Sequence, residues 1–117
     1  MNHLSGVLRM EQVESKFVIY LKQELNYSIN TVKSYREDLD DFFSFLKKRG
    51  INYININRDN IRDYLKYLDS KSLKNSSIAR RISSIRTFYN YLLLLLHLLN
   101  LFSHTLFHPL LIPEFLL

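Results

Sequence analysis

Two small clusters of cations stand where helices would begin. Lys33 and Arg36 open one amphipathic stretch, with no acid ahead of Glu37. Arg80 and Arg81 open another that has no acid in its first turns, and Lys74 stands just ahead of it. A cation in a first helical turn opposes the helix macrodipole by about 0.3–1 kcal/mol. The free N–H groups at that end add to the positive potential, so side chain and backbone attract an anion together. Two such ends in one domain fit the phosphates of a nucleic acid, with Thr31, Ser34 and Ser77 as short polar neighbours. Phosphate contacts would position the chain, and Arg80 can reach a guanine edge bidentately. The competing account is a solvated surface on which Lys and Arg tolerate a weak dipole penalty.

Other chemistry is poorly provided for. His104 and His108 are four apart and can share a helix face as metal ligands do, but Pro109 ends any helix at once and Glu114 is the one acid nearby. Incidental histidines are the simpler account. Glu37, Asp38, Asp40 and Asp41 are expected on a solvated helix face, where they serve solubility rather than acid–base work. The chain has no Cys, which excludes disulfides, thiolate catalysis and cysteine-based zinc sites. No Gly-rich phosphate loop and no Ser-His-Asp order is present. No cofactor and no metal is expected.

The cation clusters need elements to hold them, and the hydrophobic spacing supplies four helices. Over residues 11–25, Val13, Phe17, Tyr20, Leu21 and Leu25 recur at helical intervals, and Asn26-Tyr27-Ser28 breaks the pattern. Residues 29–49 give the clearest stripe, with Val32, Tyr35, Leu39, Phe42, Phe43 and Leu46. Ser28 or Asn30 can cap its start, Lys47, Lys48 and Arg49 suit its negative end, and Gly50 supplies a left-handed stop. Residues 51–56 alternate with period two. With no partner strand they are expected as an extended connection whose isoleucines plug the core. Asn57 caps a third helix over 58–69 with Ile61, Tyr64, Leu65 and Leu68 inward. A polar turn at 70–76 leads to a fourth helix over 77–99, capped by Ser76. Its Ile78, Ile82, Ile85, Phe88, Tyr89 and Leu92 face inward, and its Arg80, Arg81, Ser84 and Thr87 outward. The expected fold is an all-α four-helix bundle.

The 117 residues suit one domain, and 47% hydrophobic with 23% charged residues suits a folded one. Only 2 Gly and 2 Pro are present, which disfavours a sandwich or barrel with its frequent tight turns. Net charge is +5. All sixteen bases and ten of the eleven acids lie between Arg9 and Arg86, so the surplus sits on the bundle and suits a polyanion. Residues 1–10 lack the apolar core of a secretory signal and are expected as a flexible arm. A cytoplasmic setting follows as the default, with no membrane.

Three separated pieces carry a family resemblance. The first is the opening helix running into Glu24-Leu25-Asn26-Tyr27-Ser28. The second is Asn30-Thr31-Val32-Lys33-Ser34-Tyr35-Arg36-Glu37-Asp38-Leu39. The third is Ser77-Ile78-Ala79-Arg80-Arg81-Ile82-Ser83-Ser84-Ile85-Arg86-Thr87-Phe88-Tyr89. In order and spacing, residues 11–92 resemble the N-terminal core-binding domain of tyrosine recombinases, in the style of Xer-type resolvases and phage integrases. The resemblance implies a SAM-like bundle that grips double-stranded DNA at a recombination half-site, in the nucleoid, with the second and fourth helices entering the major groove from their N-terminal ends. On the family's contact positions stand Thr31, Lys33 and Ser34 in the second helix, and Ser77, Arg80 and Arg81 in the fourth. Arg36, Lys74 and Arg86 are further phosphate contacts. The family's nucleophilic tyrosine lies in a separate catalytic domain. The chain is therefore expected to bind DNA and not to cut it alone, with none of its eight tyrosines acting as nucleophile.

Residues 91–117 hold thirteen leucines where the family has a charged helix end and a polar linker. Three accounts compete for this apolar tail, taken from residue 93 onward. It is the frameshifted or degraded end of a truncated gene, a continuation of the fourth helix packed on the bundle, or a membrane insert. Two other functions stand beside DNA binding by a recombinase module. One is a regulatory protein that associates with a full-length recombinase or with itself through the tail. The other is a helix-turn-helix regulator built on the third and fourth helices.

Overall fold

The computed structural model describes residues 10–99, which form an all-α bundle of four helices and one 3-10 turn. Of the arm expected at residues 1–10, Met10 already belongs to the first helix; residues 1–9, the tail beyond residue 99, and with it His104 and His108, lie outside the described residues. Helix α1 is Met10–Gln23, α2 is Ile29–Lys48, α3 is Arg58–Ser70 and α4 is Asn75–Leu99.

Helix α1 buries Val13, Phe17 and Leu21, one every fourth residue, against α2 and α4. It ends two residues before the expected boundary. Asn26 takes the left-handed conformation at φ 56°, and the Tyr27 N–H returns to the Leu21 carbonyl at 2.9 Å. Ser28 then caps α2, its Oγ accepting from the Thr31 N–H at 3.2 Å. At the other end Gly50 sits at φ +66°. The Ile51 N–H bonds the Leu46 carbonyl and the Gly50 N–H bonds the Lys47 carbonyl, the paired closure of a Schellman motif.

The alternating segment is not extended throughout. Tyr53–Asn55 forms a 3-10 turn capped by Asn52, whose Oδ1 accepts from the Ile54 N–H at 2.9 Å. Ile56 is buried as expected, whereas Ile51 and Ile54 only pack against the core's edge. Tyr53 takes the interior position, and its carbonyl accepts from the buried Tyr89 hydroxyl. With no neighbouring strand to satisfy a second ladder, a local turn closes these backbone groups instead.

Asn57 caps α3 and forms a reciprocal box with Asn60, at 2.9 Å in one direction and 2.8 Å in the other. The link to α4 is residues 71–74, shorter than the expected turn at 70–76. Ser72 makes the turn possible with φ 57°. Ser76 is not the cap of α4. The helix already runs from Asn75, and the Lys74 carbonyl takes the Ser77 and Ile78 N–H groups at 3.0 and 3.1 Å. At its far end α4 runs to Leu99, with Leu96 in the core and Leu94 and Leu98 exposed.

The centre of the bundle is aromatic. Phe88 meets Phe17 of α1 edge-on at 5.4 Å, Phe43 of α2 at 5.1 Å and Tyr53 of the 3-10 turn at 6.0 Å. Phe42 meets Tyr64 of α3 at 5.0 Å. One ring on α4 thus touches three other parts of the chain. No helix among the described residues is long and apolar enough to cross a membrane.

Candidate nucleic-acid interface

The cations at the start of α4 do not simply project into solvent. Arg80 lays one edge of its guanidinium on Asp38 of α2, with Nε 3.0 Å from Oδ2 and Nη2 2.8 Å from Oδ1. Arg81 reaches Asp41 with Nη1 at 2.9 Å, and Asp41 also accepts from the Tyr64 hydroxyl of α3 at 2.7 Å. Ser84 Oγ donates to Asp38 Oδ2 at 2.8 Å. The expectation of an outward Ser84 and a solvated Asp38 is therefore corrected, since the two are 0% and 1% exposed. The reason is geometric. Residues 80, 84 and 87 of α4 form a stripe at helical spacing, and residues 35, 38 and 41 form another on α2. These polar stripes face each other beside the apolar seam.

Burial of Asp38 is tolerable because its acceptor sites are filled by charge-assisted bonds. The bond to Asp38 raises the Arg80 pKa further, so the guanidinium stays charged. Arg81 is more deeply held: its side chain is 19% exposed, and its Nε is buried without a hydrogen-bond partner among the described residues. Arg80 keeps 45% of its side chain exposed.

The other sequence-predicted residues divide as follows. At the start of α2, Thr31 is half-buried and shares the cap, its Oγ1 3.0 Å from Ser28 Oγ. Ser34 is half-buried, while Lys33 is exposed and makes no ion pair among the described residues. Arg36 is drawn toward α1, with Nε 3.4 Å from Glu14. Lys74 is exposed beside the first turn of α4, Ser77 is half-buried, and Arg86 is exposed further along the helix. The structure thus brings Arg80 and Arg81 together against the middle of α2, and leaves Lys33 and Lys74 as exposed cations near two helix starts.

Sequence reasoning missed Asp38, Asp41, Ser84 and Tyr64 as partners of the arginines. The available signal was complementarity: acids three apart on one helix, and two bases with a serine on another. It also missed the pairing of Glu14 with Asp40. Burial and the adjacent Asp40 carboxyl outweigh Arg36 and push Glu14 up to about 7. Among the described residues no group of three or more metal-ligating side chains occurs. The tyrosines most buried in the bundle are poor nucleophiles. Burial raises the phenols of Tyr53, Tyr64 and Tyr89 and keeps them protonated.

Comparison with known proteins places these elements in context. Residues 15–94 match the phage integrase, N-terminal SAM-like domain. The protein named tyrosine recombinase XerC in Staphylococcus haemolyticus is 42% identical over 82 residues, which are 70% of this chain and 28% of that protein. The proteins of the same name in Staphylococcus saprophyticus and Staphylococcus aureus are 39% and 40% identical over the same shares. The chain thus spans 28% of the length of these curated relatives. No solved structure matches.

Proposed function

The chain belongs to the phage integrase N-terminal SAM-like domain family, and from that membership we propose that it is the DNA-binding module of a tyrosine recombinase. Its ligand in this reading is duplex DNA at a recombination half-site. The observation that carries the proposal is the coincidence of that family match with two exposed cations, Lys33 and Lys74, beside the openings of α2 and α4. Thr31, Ser34, Ser77 and Arg80 complete the contact set, with Arg36 and Arg86 as flanking phosphate contacts. Arg81 belongs to it less than the sequence suggested, because Asp41 holds it. In this module the tyrosines pack the core, and strand cleavage is not their work.

Fluorescence anisotropy of the full chain with labelled duplex, across a salt titration, tests the proposal. The logarithm of the association constant should fall linearly with the logarithm of salt, by about 0.9 for each phosphate neutralised. Lys33→Ala and Lys74→Ala should each flatten the slope by about 1. Absence of binding at low salt, or binding indifferent to salt, overturns the reading.

A second reading is association with a full-length recombinase. Exposed apolar side chains at Ile19 of α1, and at Leu94 and Leu98 of α4, favour it. Capture of an intact XerC-type recombinase, unaffected by Lys33→Ala and Lys74→Ala, would support it. The four-residue link 71–74 between α3 and α4 has the length a helix-turn-helix regulator uses. A palindromic footprint with half-sites one helical turn apart would distinguish that case.

A further inference from the structure

Arg80 is held in a way that leaves one edge of it free. A guanidinium carries five N–H groups in a plane. Asp38 occupies the Nε and Nη2 edge at 3.0 and 2.8 Å. The edge formed by Nη1 and the second Nη2 hydrogen is a further parallel pair of donors, and the side chain is 45% exposed. Asp38 cannot swing away easily. It is 1% exposed, and Ser84, itself fully buried, shares its one hydroxyl proton between the Asp38 Oδ2 at 2.8 Å and the Arg80 carbonyl at 3.0 Å. Asp38 also has the Arg81 Nε 4.0 Å from its Oδ1, so aspartate, serine and the two arginines form one network in which Arg80 keeps a donor edge that Asp38 does not occupy.

A phosphate contact does not need this construction, because a flexible lysine neutralises a phosphate well enough. A base edge does need it, because reading depends on direction. Guanine offers O6 and N7 as two acceptors in the major groove, matched to two parallel N–H groups. Ordering an arginine from solution sacrifices rotamer freedom, and here the fold has already imposed that order. The neighbouring arginine provides the contrast. Arg81 is 19% exposed and has its Nη1 on Asp41, so little of it remains to offer.

We propose that Arg80 reads a guanine edge in the major groove, that Asp38 is the residue that positions it, backed by Ser84, and that Arg81 serves the fold. The proposal rests on the DNA-binding reading above and names its sequence-determining contact. Selection of duplexes from a random library by the full chain, followed by affinity measurement on the selected duplex and on single-pair variants of it, tests it. Wild type should prefer G·C over its replacements at one position by roughly 5- to 150-fold. Arg80→Lys should lose that preference, binding the selected duplex and its single-pair variants with equal affinity. Asp38→Asn, assayed at a temperature where circular dichroism shows it folded, should lose the same preference. The double variant should lose no more than either alone. Asp38→Asn that never folds leaves Arg80→Lys to decide, with Ser84→Ala expected to weaken the same preference partially. Preference retained in Arg80→Lys, or an equal loss on every sequence as for a phosphate contact, overturns the inference while leaving DNA binding standing. No binding to any duplex overturns both.

Discussion

Glu14 shows how one carboxyl can set the pH response of a small bundle. It sits on α1 beside Asp40 and Arg36 of α2, and burial with the Asp40 carboxyl holds it up to about 7, against 4.5 for an ordinary glutamate. A carboxyl with a raised folded-state pKa binds its proton more tightly in the folded chain than in the unfolded one. Its contribution is fully present below about pH 4.5 and is lost as pH rises through about 7. The urea midpoint of the wild type should therefore fall across that window, and Glu14→Gln should flatten the fall. An unchanged slope in the variant would refute the assignment. Tyr64 is the corresponding case for the arginines. Its hydroxyl donates to Asp41 at 2.7 Å, and Asp41 holds Arg81. Tyr64→Phe should cost about 1–3 kcal/mol, since it leaves a charged acceptor short of a donor. It should also leave duplex affinity unchanged where the variant is folded, because Arg81 serves the bundle. A variant that keeps its stability but loses affinity would place Arg81 on the DNA instead.

Helix ends were readable where their chemistry is local and failed where it is not. Ser28 and Asn57 were legible as caps because each is a short acceptor just ahead of an apolar stripe, and both caps form. Ser28→Ala should cost about 1 kcal/mol, and Asn57→Ala at least as much, since it also breaks the box with Asn60. Urea titrations of the two variants check this, and indifference of both would mean the caps are dispensable. At α4 three polar residues, Asn75, Ser76 and Ser77, stand in a row. Pattern alone cannot rank them, and the helix starts at the first. The segment 51–56 misled for another reason. Its alternation is a strand pattern, but a strand needs a neighbour, so a 3-10 turn forms and Tyr53 enters the core instead of two isoleucines. The apolar stripe of α2 was legible nearly residue by residue, yet Asp38 lay beyond it. A polar residue is assigned to the outside unless its partner is known, and Arg80 is 42 positions away. The candidate site was thus half readable: the cations were visible, and what holds them was not.

At the scale of the whole molecule, Phe88 ties the helices together. This ring joins α4 to α1, to α2 and to the 3-10 turn. It is fully buried, and Phe→Ala at such a site costs about 3–5 kcal/mol. A domain of this size has only about 5–15 kcal/mol in all. Phe88→Ala should therefore remove a large share of that stability and lower the melting temperature, with helical signal and tertiary packing lost together in one transition. A ligand that binds only the folded chain counters such a loss by mass action, by about 2.7 kcal/mol at one hundred times its dissociation constant. On the proposed function, duplex DNA in that excess should raise the melting temperature of Phe88→Ala at low salt, and high salt should abolish the rise, as salt does for phosphate contacts. The cation face is assembled from α2 and α4 together, with Asp38 and Asp41 holding the two arginines across the seam. An unfolded chain keeps the charge but loses that arrangement. A melting temperature that duplex leaves unchanged would show that DNA binds the unfolded chain equally well, and that charge rather than the bundle is what it meets.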